Sequence, residues 1–250
     1  MSAPDPIAFS IFGVDVRWYG ILVGLGFMLG IYISYKRAPQ LGIEPDHVLD
    51  FCLWMIPLSI LGARAYYVIF QWDEYAGDIK SILDIRSGGL AIHGGLIAGI
   101  LVCIAVCKHH KISTLNLLDL MFPQVALGQA IGRWGNFFNS EAHGGPTSLP
   151  WAILVDGELV HPTFLYESIW CFGLFLFLLF ITKKREFRGQ IVLLYGILYS
   201  IERFLVESLR TDSLMIGPFK QAQVISLTAI ILCSILYFIL QRRARSGSSS

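Results

Sequence analysis

Charge is what this chain has least of. Only 15% of its 250 residues are Asp, Glu, Lys or Arg, against about 25% in an ordinary soluble domain. Nineteen basic and 18 acidic residues are too few to coat a fold of this size with a polar skin. Hydrophobic residues make up 55% and the mean hydropathy is +0.62, so the composition argues for an integral membrane protein. The net charge is only +1 and basic residues come in short runs, which excludes a nucleic-acid binder. The high apolar content excludes a disordered chain.

Cysteine is scarce and unpatterned. Cys52, Cys103, Cys107, Cys171 and Cys233 all fall in apolar stretches, and no second Cys or His pair completes a zinc set with Cys103 and Cys107. They read as small buried hydrophobes. A signal peptide is also missing: residues 1–16 contain no basic residue, and the apolar run that starts at Trp18 is too long for an h-region. No G-x-S-x-G occurs, so serine hydrolase chemistry has no support. His109-His110 sits among lysines and offers no metal site. Residues 246–250 are only Ser and Gly and read as a disordered tail.

Long apolar runs are what the chain does have. A bilayer core of about 30 Å takes about 20 residues of helix. Three runs, 18–36, 87–107 and 219–241, are nearly free of charge. Four more, 50–72, 112–133, 161–182 and 189–209, carry ionisable groups inside: Arg64, Asp119 and Arg133, Glu167, and Glu202, Arg203 and Glu207. The expected fold is therefore an all-α integral membrane protein, one polytopic domain over 1–245 with seven transmembrane helices. Its outer loop, 134–160, would form a small extracytoplasmic head. Eleven of the 19 basic residues fall on alternate connections and the tail: Lys36, Arg37, Lys108, Lys111, Lys183, Lys184, Arg185, Arg188, Arg242, Arg243 and Arg245. The positive-inside rule then puts the N-terminus outside and the C-terminus in the cytoplasm. Trp18, Trp72, Trp134 and Trp151 fall near outer span ends, as an aromatic belt requires.

An ionisable side chain at mid-bilayer costs about 2.5–3.5 kcal/mol, so it is kept only where it pairs, meets water or works. Span 6 has the densest set. Tyr199, Arg203, Glu207 and Arg210 are spaced 4, 4 and 3, which puts them on one helix face. They can form an inward salt-bridge ladder, or Arg203 can grip a phosphate. The run from Gly132 to Gly144 is built for hydrogen bonding, with Arg133, Asn136, Asn139 and Glu141 among glycines. His93-Gly94-Gly95 places an imidazole beside two residues that leave room for a ligand, although a lone His in a helix also serves structure. Arg64 reads as structural. Together these residues outline a cavity near the outer leaflet for an anionic headgroup with acyl chains.

The run Gly132-Arg133-x-Gly135-Asn136-Phe137-x-Asn139-x-Glu141-x-x-Gly144 resembles the signature of the prolipoprotein diacylglyceryl transferase family at all eight specified positions. Arg17-Trp18-Tyr19-Gly20, His93-Gly94-Gly95-Leu96, His161-Pro162, Leu165-Tyr166-Glu167 and the stretch Tyr199–Arg210 are similar to the same family, and Ser200 and Phe164 depart from it. The resemblance covers nearly the whole chain.

The resemblance implies transfer of the diacylglyceryl group from phosphatidylglycerol to the lipobox cysteine thiol of a prolipoprotein signal peptide. A thioether forms and glycerol phosphate leaves, at the bacterial plasma (inner) membrane. The thiol, of pKa about 8.5, needs a base or positive field. The phosphate oxygen gains charge as the carbon–oxygen bond breaks, and arginines stabilise it. On this reading Arg133 and Arg203 clamp phosphate and His93 assists the thiol. Tyr19, Asn136, Asn139, Glu141, Gly144, Tyr199, Glu207 and Arg210 shape the headgroup site. No metal, organic cofactor or nucleic acid is implied; the partners are the two substrates and the lipid bilayer. A small-anion transporter or a lipid-binding scaffold would also account for intramembrane Arg and His, but needs no Gly/Asn-rich outer loop.

Overall fold

The computed structural model describes residues 5–85, 88–211 and 213–247. The elements follow in chain order as β1 (Ile7–Ile11), β2 (Val14–Arg17), α1 (Trp18–Arg37), a 3-10 turn (Ala38–Leu41), α2 (Pro45–Phe70), α3 (Trp72–Tyr75), α4 (Ile79–Leu83), α5 (Ile92–His109) and α6 (Thr114–Phe138). Then come β3 (Ile153–Val155), β4 (Glu158–Val160), α7 (Thr163–Thr182), α8 (Gln190–Leu209), β5 (Met215–Ile216), β6 (Phe219–Lys220) and α9 (Gln221–Gly247). Among the described residues, five stretches are long and apolar enough to cross a membrane: Trp18–Leu41, Pro45–Phe70, Ile92–His109, Thr163–Thr182 and Gln221–Ser246. Their exposed faces carry residues such as Phe27, Met28, Ile100, Leu101 and Phe238, which a lipid solvent accepts and water does not. The chain is a membrane protein.

Each expected span contains a helix, with four shifts, one of them at α5, which begins at Ile92, five residues after the expected start at 87. Helix α2 starts at Pro45, five residues before the expected boundary, because Pro is favoured in the first turn of a helix. Helix α6 runs on to Phe138, so Arg133 and Asn136 are helical and the outer loop begins after them. Helix α9 continues to Gly247, through residues expected to be disordered; residues 248–250 lie outside those described. Among the described residues there are three two-stranded antiparallel hairpins: β1–β2 before α1, β3–β4 within the expected outer loop, and β5–β6 between α8 and α9, its second strand at the expected start of the last span.

The chain divides into two compact units, Met1–Ile33 with Leu118–Ser250, and Ser34–Leu117. In the second unit α2 packs on α5 through small residues. A Cβ on Gly94 would overlap the Gly62 carbonyl oxygen and the Tyr66 Cβ, and one on Gly95 would come within 3.3 Å of the Ser59 carbonyl oxygen. The glycine pair after His93 thus serves helix contact, with close backbone approach as the reason for Gly. Arg64, 4% exposed, donates to the carbonyl oxygens of Ser81, Ile82, Gly88 and Gly89 at 2.5–3.0 Å and lies over the Tyr75 ring at 4.9 Å. It ties a polar connection to α2 and is structural, as expected. Within that connection Asp78 caps α4, accepting from the Lys80 and Ser81 amides and the Ser81 hydroxyl. Those donors hold its carboxyl below the usual range.

The first unit holds α7, α8, α9 and most of α1 and α6, and in it α8 packs on both α7 and α9. Gly26 approaches Gly128 where α1 meets α6, and Gly196 leaves space for Cys233 where α8 meets α9. Asp119, 0% exposed, closes the start of α8. It accepts from the amides of Gly189, Ile191 and Val192 at 2.7–3.0 Å and pairs with Arg185 at 3.0 Å. A carboxylate satisfies three helix N-terminal donors there and meets the positive end of the macrodipole. Asp119, one of the two ionisable residues expected inside the 112–133 span, is a helix cap.

Candidate active site

Glu167 stands near the start of α7, 1% exposed. Its two oxygens face two guanidinium groups from different helices: Oε2 is 3.1 Å from Arg133 Nη1 on α6, and Oε1 is 3.2 Å from Arg203 Nη1 on α8. Arg203 Nη2 also reaches Glu207 Oε2, one helical turn on, at 2.7 Å. One carboxylate therefore holds two arginines side by side, and each guanidinium, with five N–H donors, keeps donors to spare. Arg133 and Arg203 retain about a fifth of their side-chain surface exposed.

Nearby side chains fix this cluster in place. Trp134 Nε1 donates to Ser168 Oγ, which donates to the Ala130 carbonyl oxygen, locking α6 to α7. The Tyr195 hydroxyl donates to Gln129 Oε1 at 2.9 Å, and the Tyr195 and Tyr199 rings stack 5.4 Å apart along α8. Tyr199 and Glu202 both lie within electrostatic reach of Arg133. The Lys220 ammonium, from β6, donates to the Glu207 and Arg210 carbonyl oxygens at 2.7 Å and caps the negative end of α8.

The loop after α6 is ordered by Glu141. Its Oε1 accepts from Asn136 Nδ2 at 2.9 Å and from Asn139 Nδ2 at 3.2 Å, while its amide donates to the Asn136 carbonyl oxygen. Farther on, Gly144 bridges to Arg210 and Gly145 donates to the Leu209 carbonyl oxygen, so the loop is laced to the end of α8. A Cβ on Gly144 would fall 2.7 Å from His161 Cβ and 3.1 Å from the Leu209 carbonyl oxygen, which is why Gly stands there. Tyr19 packs its ring against Gly135, where a Cβ would be 2.5 Å from the ring.

Of the residues singled out in the sequence, Arg133, Arg203 and Glu207 share one cluster. Asn136, Asn139 and Glu141 share one hydrogen-bond set, and Gly144 meets Arg210 through backbone. His93 belongs to the second unit, where its exposed ring lies 6.0 Å from that of Tyr66. Glu167, Glu202 and Lys220 were not singled out as site residues. Glu167 and Glu202 had a signal, an acid inside an apolar span; Lys220 had none, because only the β5–β6 turn brings it to α8.

The family model for "Prolipoprotein diacylglyceryl transferase" matches residues 6–239. The chain belongs to the prolipoprotein diacylglyceryl transferase family. Three relatives, each named phosphatidylglycerol–prolipoprotein diacylglyceryl transferase, are similar over almost their whole length. The one from Finegoldia magna is 54% identical over 93% of this chain and 94% of its own. The one from Clostridioides difficile is 50% identical over 98% and 99%. The one from Bacillus cytotoxicus is 44% identical over 96% and 93%. In this diacylglyceryl transferase family member the signature run from Gly132 to Gly144 straddles the end of α6, with Arg133 and Asn136 on the helix and Glu141 and Gly144 in the loop.

Proposed function

We propose that this chain transfers the diacylglyceryl group of phosphatidylglycerol to the lipobox cysteine thiol of a prolipoprotein. The thiol sulfur attacks the glycerol carbon that carries the phosphate. An S–C bond forms, the C–O bond breaks with its electron pair on oxygen, and glycerol phosphate leaves. The observation that carries this reading is the pair of guanidinium groups held together by Glu167. Two planar cations suit a phosphodiester whose charge grows from one towards two as the bond breaks. Glu207 orients Arg203, and Asn136, Asn139 and Glu141 order the loop beside Arg133. Tyr19, Tyr199, Gly144 and Arg210 complete the headgroup site, and His93 takes or orients the thiol proton. The nucleophile comes from the substrate, so none of the five free cysteines is needed; four of them are buried.

The same reading adds α6 and α8 to the five apolar helices, as the fourth and sixth of seven spans in chain order. At about 1.5 Å per residue they are about 37 Å and 30 Å long, enough for the hydrocarbon core. Arg133 and Arg203 pair with Glu167 of α7, Asp119 with Arg185, and Glu207 with Arg203, which lowers the cost of placing these charges in a membrane. The site then lies on the extracytoplasmic side of the plasma membrane, where a signal-peptide cysteine arrives.

The test is direct. Purified protein is incubated with phosphatidylglycerol and a lipobox peptide, and the peptide is weighed. Gain of one diacylglyceryl mass on the cysteine is expected; an unmodified peptide, with phosphatidylglycerol bound and protein folded, sinks the assignment. In the same assay His93→Gln is expected to slow transfer, with partial recovery at higher pH as the thiolate fraction rises. A rate loss that ignores pH returns His93 to packing against Tyr66.

A further inference from the structure

Glu202 is the one carboxyl group of the α6–α7–α8 cluster that has found no partner. It is 3% exposed, and neither of its oxygens accepts a hydrogen bond. Glu167 is shared by both arginines and Glu207 is held by Arg203. Among the described residues, the cluster thus sets three carboxyl groups, Glu167, Glu202 and Glu207, against two guanidinium groups. Glu202 lies within electrostatic reach of Glu167, Arg133 and Arg203. A buried carboxylate with no donor is costly, whereas its protonated form is a neutral group that can itself donate.

We propose that Glu202 is the proton-accepting member of the cluster: it becomes protonated when an anionic phosphodiester headgroup binds to Arg133 and Arg203. This rests on the reading of those arginines as the headgroup site. The physical step is linkage. A negative charge brought next to an acid raises that acid's proton affinity, and the protonated acid in turn accommodates the anion. Glu167 and Glu207 cannot respond as cheaply, because protonating either one breaks an ion pair.

The other titratable groups facing this region leave the argument intact. Tyr199 and Tyr195 on α8, Cys171 on α7 and Cys233 of α9 beside Gly196 are phenols and thiols, weak acids by residue type that bring no carboxylate or ammonium to the cluster. Lys220 is committed to the carbonyl oxygens that end α8. A positioning role follows for Glu202: it acts through the two arginines by adjusting the charge they see. The consequence is a pH-dependent affinity. Below the titration of Glu202 in the free protein, binding does not vary with pH. Between that point and the higher titration of Glu202 in the complex, phosphatidylglycerol binding weakens by up to about tenfold per pH unit, because each binding event must recruit one proton.

The experiment measures phosphatidylglycerol binding to the full-length protein in phosphatidylcholine–detergent micelles across about pH 5 to 9. Calorimetry in two buffers of different ionisation enthalpy counts the protons taken up. Wild type is expected to take up to one proton, with the alkaline loss of affinity. Glu202→Gln, which copies the protonated shape, should bind with a flat profile and no uptake. Glu202→Leu serves if Gln impairs folding, since it also removes the titrating group. Zero uptake by wild type across the whole range overturns the proposal, as does the wild-type profile persisting in the folded variants. Phosphatidylglycerol binding that is unaffected by both Arg133→Gln and Arg203→Gln would instead fail the headgroup reading itself, whatever Glu202 does.

Discussion

At Glu167 a single carboxylate fixes the distance between two cations that would otherwise repel each other. Its oxygens are spent on Arg133 and Arg203, so both guanidinium groups are presented with defined planes. If those planes grip a phosphodiester, charge alone is an insufficient substitute. Arg203→Lys should then lose nearly as much transfer as Arg203→Gln, and the same should hold at Arg133, because an ammonium supplies a point charge where a fork is needed. Transfer to a lipobox peptide by the Lys and Gln variants decides the matter; near-normal rates in both Lys variants would leave the arginines as bundle salt bridges. Glu167→Gln is a sharper probe of positioning. It removes the shared anchor and should reduce transfer together with stability, the latter by about 1–3 kcal/mol for buried donors left without their acceptor. Unfolding in detergent measures the second effect, and a variant that lost neither would show that the anchor is dispensable.

Helices show most clearly where sequence reading succeeds and where it stops. The apolar runs and the spacing of Tyr199, Arg203 and Glu207 along α8 report local periodicity, and the helices and the Arg203–Glu207 pair follow from it; Arg210, expected on the same helix face, lies just past the helix end in extended backbone. The pairing of Arg133 with Glu167 does not, since it joins residues 34 positions apart on different helices and no period encodes it. Asp119 reads as a charge in a span, yet its partners are the amides of another helix's first turn. The glycines after His93 suggest space for a ligand because sequence cannot say what fills the gap; the backbone of α2 does. That contact gives a prediction with a built-in control. Gly94→Ala must push α2 and α5 apart and should cost about 1–3 kcal/mol, as overpacking does. Gly173→Ala on α7, where a Cβ meets nothing within 4 Å, should be neutral or stabilise by about 0.5–1 kcal/mol through helix propensity. Thermal unfolding of the two variants in one detergent compares them, and equal stability would mean the α2–α5 contact yields freely.

Over the whole molecule the basic residues follow chain direction. Helix α1 ends on Lys36 and Arg37, α5 on Lys108 and His109, α7 is followed by Lys183, and α9 has Arg245 in its last turn. The intervening helices α2, α6 and α8 have no basic residue in their last turns. Two physical preferences coincide in this pattern. Cations at a helix C-terminus meet the negative end of the macrodipole, and basic residues at alternate membrane crossings stay on the cytoplasmic side. A seven-span chain with its N-terminus outside satisfies both at once. The five-span alternative, with α6 and α8 outside the bilayer, would put the Lys111 and Lys183–Arg185 connections on opposite sides or leave the paired charges of α8 in water, where they need no partners. Single cysteines in a cysteine-free background separate these maps. With seven spans, cysteines replacing Asp78, Ser148 and Ser213 should react with an impermeant thiol reagent added to intact cells. Those replacing His110, Glu186 and Gly247 should react only after permeabilisation. Protection of position 148 in intact cells would put the loop after α6 on the cytoplasmic side, away from an arriving signal-peptide cysteine, and the transfer site proposed around Arg133 would have to be abandoned with it.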